Sequence, residues 1–326
     1  MLILVAVAAL LGALAVAAHA GGTQDRRAQV VLVAEGCDKS GFDCLLFKRA
    51  LRGSGVTARI ISPDVREDRV GTLSLLAQQG YALIIVSIDF AEVLADVAAR
   101  FPKARFALLD VPLDSLGGRP RNVESIVDQP NEAAYLAGWL AARLEKQRPG
   151  KDALGIVGGR RIAPVDDFIV GFQAGARAAD PGITLYREYS NDFLDTNKCE
   201  AIARSQIARG AGAVFNVAGA CGLGTLRAAQ AARVWGIGVD TDQSSLGPHI
   251  LTSVTKGYEA DYVELLRQVR LGKIRTGRTT VLTLRDGGAG LGRISPKVPA
   301  SLRAGLERVR EQILSGAIRV PVAPRG

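Results

Sequence analysis

The sequence predicts a two-lobed α/β protein: two parallel β-sheets, each flanked by helices, with a hinge between the lobes. Three observations lead there. Short apolar segments rich in Val, Ile and Leu alternate with longer amphipathic ones along most of the chain, as repeated βαβ units require. The alternation runs through one series and starts again at Leu154, so two sheets are expected. Finally, 326 residues with 48% hydrophobic content suffice for two cores, and only 5% are aromatic, which leaves Ala, Gly, Val and Leu to form closely packed layers.

The elements follow in order. In the first series, strands are expected over 29–34, 57–62, 83–87, 106–109 and 123–127, with helices over 45–53, 71–79 and 91–101. The last of these helices stops at Pro102, which cannot continue it. A helix carrying Tyr135 leads into the second series: strand 154–157, helix 166–179, strand 183–189, helix 197–209, strand 213–217, helix 222–232 and strand 235–239. A strand over 250–254 and a helix over 259–271 are expected to return to the first lobe, and residues 279–285 to pass back to the second. This assigns 28–128 plus 250–280 to an N-terminal lobe and 129–249 plus 281–320 to a C-terminal lobe. Repeated crossings make a hinge and put a ligand site between the lobes.

Residues 1–20 are an uncharged apolar run ending in Ala18-His19-Ala20, a small-x-small cleavage pattern. They read as a cleavable signal peptide: the run is at the short limit for spanning a membrane, and a polar stretch follows. No cysteine stands at the cleavage point, so a soluble periplasmic protein without a lipid anchor is expected. The net charge of +9 lies wholly beyond the leader, but Lys and Arg are scattered, in blocks no longer than pairs such as Arg160-Arg161. With no helix-turn-helix, zinc or RNA-binding signature either, a nucleic-acid partner is not expected.

Catalytic signatures are missing too. There is no GxSxG turn, phosphate loop or metal-ligand cluster, and His249, the one histidine beyond the leader, lies beside Pro248 in a loop. Gly155-Ile-Val-Gly-Gly lacks the GxGxxG spacing of a dinucleotide turn. Neither an enzyme nor a cofactor or metal is expected. The informative signal lies at strand ends, where open α/β sheets bind ligands. The strand ending in Asp240 delivers Asp240, Asp242 and Gln243, and Leu251-Thr-Ser-Val-Thr-Lys256 ends in a lysine. Carboxylates accept hydroxyl hydrogen bonds and lysine anchors an oxygen, a set suited to a sugar; Asp242 and Gln243 have the alternative of capping the next turn.

A second such strand, Val214-Phe-Asn-Val-Ala-Gly219-Ala-Cys221-Gly-Leu-Gly, ends in a glycine-rich turn. Together with the Asp240–Lys256 stretch it resembles the basic membrane protein family of ABC transporter substrate-binding proteins, which includes purine nucleoside receptors. Leu284-Arg-Asp-Gly-Gly-Ala-Gly-Leu, the Asp128–Ala141 stretch and Gly155–Gly175 resemble further segments of that family, in order, from about residue 30 to 295. The resemblance implies a type I periplasmic binding protein, a monomer that holds a nucleoside-like solute, most readily a purine nucleoside, and hands it to an ABC permease in the inner membrane. A ligand sensor presenting the same fold to a membrane receptor is the alternative.

By resemblance, the loop Asp38-Lys-Ser-Gly-Phe42-Asp43-Cys-Leu-Leu-Phe47 places Asp38 on the ligand and Phe47 against its base, with Phe42 read as core. Asp43 stands where the family has Asn, exchanging a group that donates and accepts for one that only accepts. Phe193, in Tyr189-Ser-Asn-Asp-Phe193-Leu-Asp195, is the aromatic for the opposite ring face, and Gly219, in the glycine-rich turn, is a further ligand-binding residue. Asp110, closing strand 106–109, resembles the family's F-x-x-x-D aspartate and is a ligand-binding candidate, with a cap or turn role as the alternative. Asp240 is the ribose acceptor, and Lys256 either donates to the ligand or pairs with an acid across the hinge. Four cysteines in an exported chain invite pairing, and Cys37–Cys44 with Cys199–Cys221 is the simplest of the three connectivities.

Overall fold

The computed structural model describes residues 29–34, 37, 42–63, 68–150 and 152–324, with Phe42 described by its backbone only. The leader run 1–20 therefore lies outside the described residues. Two six-stranded sheets form. The first has strand order β11-β5-β4-β3-β1-β2, from β1 (Val30–Val33), β2 (Ala58–Ile61), β3 (Leu83–Val86), β4 (Phe106–Leu109), β5 (Val123–Asp128) and β11 (Arg278–Leu282). The second has order β12-β10-β9-β8-β6-β7, from β6 (Ala153–Gly158), β7 (Thr184–Tyr189), β8 (Ala213–Val217), β9 (Trp235–Asp240), β10 (Ile250–Lys256) and β12 (Ala289–Leu291). All pairings are parallel except β12 against β10.

The unbroken apolar strands are explained by helices on both faces. Alternate residues point to opposite sides of a strand. Val30, Leu32, Leu83, Ile85, Ala107 and Leu109 thus join the core beneath α1 (Phe42–Leu51) and α8 (Tyr258–Arg270), with Phe47, Tyr262 and Leu265. Val31, Val33, Ile84, Val86, Phe106 and Leu108 face α2 (Arg69–Gln78) and α3 (Ala91–Arg100). In the second lobe, α4 (Asn131–Glu145), α5 (Ala163–Ala179) and α9 (Ala300–Leu314) cover one face with the largest core, while α6 (Thr196–Ala208) and α7 (Gly222–Ala232) cover the other. Helices α4 and α5 nearly touch backbones: a Cβ on Gly138 would lie 2.1 Å from the Phe172 carbonyl oxygen.

One placement differs from the sequence expectation. The strand over 250–254 lies in the second sheet, between β9 and β12, and the chain returns to the first lobe only at Gly257. The cause is local: Gln243 accepts from the Val239 amide at 3.0 Å, and its own amide donates to Ser253 at 3.0 Å, stitching β9, the following turn and β10 together. Helix α8 then packs on the first lobe, where β11 extends the edge beside β5. Accordingly the lobes exchange chain at 129–130, at Gly257 and at 283–288. These crossings are bonded to one another: Gln129 N donates to Leu282 O at 2.8 Å, and Gly257 N donates to Gly288 O at 3.0 Å and to Asp128 Oδ2 at 2.8 Å.

Candidate functional site

The two sheets repeat one plan, and the repeat defines the site. Strand β4 occupies the same place in its sheet as β9 in the other, and the chain leaves each through an aspartate of left-handed backbone, Asp110 directly after β4 at φ 67° and Asp240 at the end of β9 at φ 63°. A non-glycine residue rarely adopts this conformation, although aspartate does so more readily than most, and such strain gathers at functional sites. Both carboxylates therefore stand at the carboxyl ends of the sheets, one from each lobe.

Lys256, the last residue of β10, reaches between them. Its Nζ donates to Asp110 Oδ1 at 2.6 Å and lies 3.1 Å from the Tyr258 hydroxyl, which itself donates to the other Asp110 oxygen. The lysine side chain is 2% exposed and the aspartate 11%, so this is a buried ion pair joining an element of each lobe. Burial alone would lower the lysine pKa, but Asp110, Asp240 and Asp128 outweigh it and hold the ammonium above its usual value. The ammonium also lies 5.4 Å from the Phe168 ring centroid.

Asp43 sits in the first turn of α1, and Tyr262 of α8 donates to its Oδ1 at 3.0 Å. Burial pushes the Asp43 carboxyl up to about 6, opposed by the Tyr262 hydroxyl and reinforced by the charges of Asp110 and Asp89. Asp240 is also pushed up to about 6, chiefly by burial, with Lys256 opposing and Asp110 and Asp43 adding. The two carboxyls and the Lys256–Asp110 pair thus form one electrostatic cluster. Behind it, at the hinge, Asp128 and Asp261 are both held above the ordinary carboxylate range by burial and then by neighbouring carboxylate charge.

On the second lobe, the loop after β7 is built by its own aspartates. Asp192 accepts from the Leu194 and Asp195 amides and from Lys198 Nζ at 2.7 Å, while Asp195 caps α6 through the Asn197 amide at 3.0 Å. Phe193 is thereby held half-buried over Gly159, where a Cβ would lie 2.2 Å from the ring. The Phe193 carbonyl accepts from Cys221 N at 2.9 Å, next to Gly219, whose φ of 54° suits glycine. The Arg160 guanidinium lies 5.5 Å from the Phe193 ring centroid. Asp242 accepts from Ser244 N at 3.0 Å and Gln243 bonds β9, so both serve the turn.

Among the anticipated site residues, Asp43, Asp110, Asp240 and Lys256 come together, and Phe193 and Gly219 share one corner of the second lobe. Asp38 lies outside the described residues. Phe47 does not reach the cluster's surface: its ring is wholly buried, edge-on to Tyr262 with centroids 5.4 Å apart, on the stripe of α1 that carries Cys44 and Ala50. The expected stacking role for Phe47 is therefore corrected to a core role. The cysteines pair as Cys37–Cys44 and Cys199–Cys221, with Cα atoms 5.5 and 5.6 Å apart. Tyr258 and Tyr262 escaped the sequence reading; the signal was the tyrosine and acid spacing of Tyr258-Glu-Ala-Asp261-Tyr262 directly after Lys256.

Two parallel-sheet lobes, three crossings and a polar cluster at facing strand ends define a solute-binding protein of the two-lobed type. The family model Bmp, described as "ABC transporter substrate-binding protein PnrA-like", matches residues 47–323, and the chain belongs to that family. Basic membrane protein B of Borrelia garinii subsp. bavariensis is 34% identical over 244 residues, covering 73% of this chain and 68% of that one. The ABC transporter nucleoside-binding protein BmpA of Lactococcus lactis subsp. cremoris is 26% identical over 289 residues, covering 83% and 79%. An ABC transporter solute-binding protein from Aeropyrum pernix K1 shares the fold with a TM-score of 0.81 at 23% identity, covering 91% and 94% of the two chains. The family is one of substrate-binding proteins, not an enzyme class, and such proteins work outside the cytoplasm. Among the described residues no helix is long and apolar enough to cross a membrane.

Proposed function

We propose that this chain binds a purine nucleoside between its lobes and delivers it unchanged to an ABC permease. The observation that carries the reading is the cluster of Asp43, Asp110, Asp240 and Lys256, drawn from both lobes at facing strand ends. The name of the Lactococcus relative supports a nucleoside as the solute. Asp240, with no side-chain partner of its own among the described residues, takes the ribose hydroxyls, because a carboxylate is the stronger acceptor. Lys256 fixes Asp110 and holds a donor at the hinge side. With Phe47 in the core, Phe193 is the aromatic left to stack on a base, and Gly219 lines the same space. Export by cleavage of residues 1–20, a periplasmic location and a monomeric state belong to the same proposal. Calorimetry with nucleosides, free bases and ribose, coupled to chromatography of the mixture afterwards, tests it. One nucleoside recovered intact is expected; turnover, or binding confined to amino acids or plain sugars, contradicts it.

A further inference from the structure

The charges of the cluster do not balance. Lys256 is committed to Asp110 at 2.6 Å, and Tyr258 donates to the same carboxylate. Asp43 and Asp240 remain without a cation of their own among the described residues. Asp43 has one donor, the Tyr262 hydroxyl, and Asp240 has none for its side chain. Among the described residues, the charge drawing Asp240 towards ionisation is that of Lys256, already shared with Asp110. Of the second-lobe arginines near the cleft, Arg160 lies on the Phe193 ring, and Arg161 and Arg187 lie within 4.9 and 5.9 Å of the Tyr189 ring centroid. A half-buried carboxylate that the protein leaves short of donors is costly unless the ligand supplies them.

The nucleoside reading already gives Asp240 its donors, the ribose hydroxyls. That leaves Asp43, which can accept and cannot donate once ionised. Its two oxygens match two parallel N–H groups, the geometry that pairs a carboxylate with a fork-shaped donor. Among neutral purine nucleosides, the 2-amino-6-oxo edge of guanine offers two adjacent N–H donors, whereas inosine offers one and adenine sets a ring acceptor beside its amino group. We propose that Asp43 is the specificity-determining residue of the cleft, selecting a heterocycle that presents two parallel N–H donors, as guanosine does. Tyr262 is the positioning residue: its hydroxyl fixes one oxygen of Asp43 from the buried side of α8, in a ring already wedged against Phe47. The Cys37–Cys44 bridge anchors the residue next to Asp43 to the preceding loop.

This inference rests on the nucleoside reading, and the test separates the two. Binding of guanosine, inosine, adenosine and the flat arylamidine benzamidine is measured by calorimetry at neutral pH for the parent, Asp43→Asn, Tyr262→Phe and Lys39→Ala. A good bidentate contact corresponds to about ten- to a hundredfold in affinity, so guanosine should exceed inosine by about that factor in the parent. The preference should collapse to within about threefold in Asp43→Asn, with inosine little changed, and shrink in Tyr262→Phe. Unchanged melting temperatures of the variants show that the loss is not one of folding. Lys39→Ala should keep the preference, and its collapse there would mean that Asp43 answers to Lys39 instead. Equal binding of guanosine and inosine by the parent, or a guanosine preference that survives Asp43→Asn, overturns the inference while leaving the nucleoside reading intact. Benzamidine bound through Asp43 with no nucleoside bound at all sustains the donor-pair rule and overturns the nucleoside reading. Binding of none of the four overturns both.

Discussion

Replacing Lys256 with Met keeps much of the side-chain volume and removes the ammonium. Among the described residues, Asp110, 11% exposed, would then keep the Tyr258 hydroxyl as its one side-chain donor. Deleting one partner of a buried pair costs about 3–5 kcal/mol, because the other charge is left without compensation. The remaining hydrogen bond and the partial exposure of Asp110 put the expected loss near the lower end, about 3 kcal/mol. With a urea dependence of about 3 kcal/mol/M for a chain of this size, the midpoint should fall by about 1 M. Equilibrium urea unfolding of the solute-free protein measures it, and a cycle with Asp110→Asn isolates the pair. Lys256→Met/Asp110→Asn should be more stable than Lys256→Met alone, since it leaves no orphaned charge. An unchanged midpoint in Lys256→Met, or a double variant that loses the sum of the two single losses, refutes the view that the two charges depend on each other.

Three further outcomes follow from the same geometry. Asp43 and Asp240 have folded-state pKa values raised to about 6, so they favour the solute-free fold while protonated, and that contribution is lost as pH rises from about 4 through 6. A solute that donates to the ionised forms should instead bind more tightly as pH rises through about 6; calorimetry between pH 5 and 8 checks this, and Asp43→Asn should flatten the profile. Phe47→Ala should cost about 3–5 kcal/mol of stability as a core deletion, whereas Phe193→Leu should leave the melting temperature nearly unchanged and weaken solute binding about tenfold. Thiol counting on denatured, unreduced, exported protein should find none of the four cysteines free, and reduction should weaken solute binding through the Cys37–Cys44 bridge.

Much of this was legible because strand identity and strand-end chemistry are local. Val30–Val33, Leu83–Val86 and Phe106–Leu109 are apolar on both faces, which only a doubly covered parallel sheet explains, and Asp110 and Asp240 are the first polar residues after apolar runs. Membership of a sheet is not local. Ile250–Val254 is buried in the same way as any central strand of either lobe, and its place was decided by Gln243 and Ser253, whose contacts are invisible until the turn is folded. Tyr258 and Tyr262 went unread for the same reason, since their roles depend on where α8 crosses back. Phe47 was misread although a signal existed: Cys44, Phe47 and Ala50 lie three apart, on one helical stripe facing the core.

Mass spectrometry of the solute released when the purified, exported protein is denatured tests the central claim most directly. The account predicts a single purine nucleoside, close to one per chain and chemically intact, its amount reduced in Asp240→Asn, which weakens the ribose contact. Release of an amino acid, a plain sugar or a peptide, or a nucleoside whose amount is unaffected by Asp240→Asn, would contradict it.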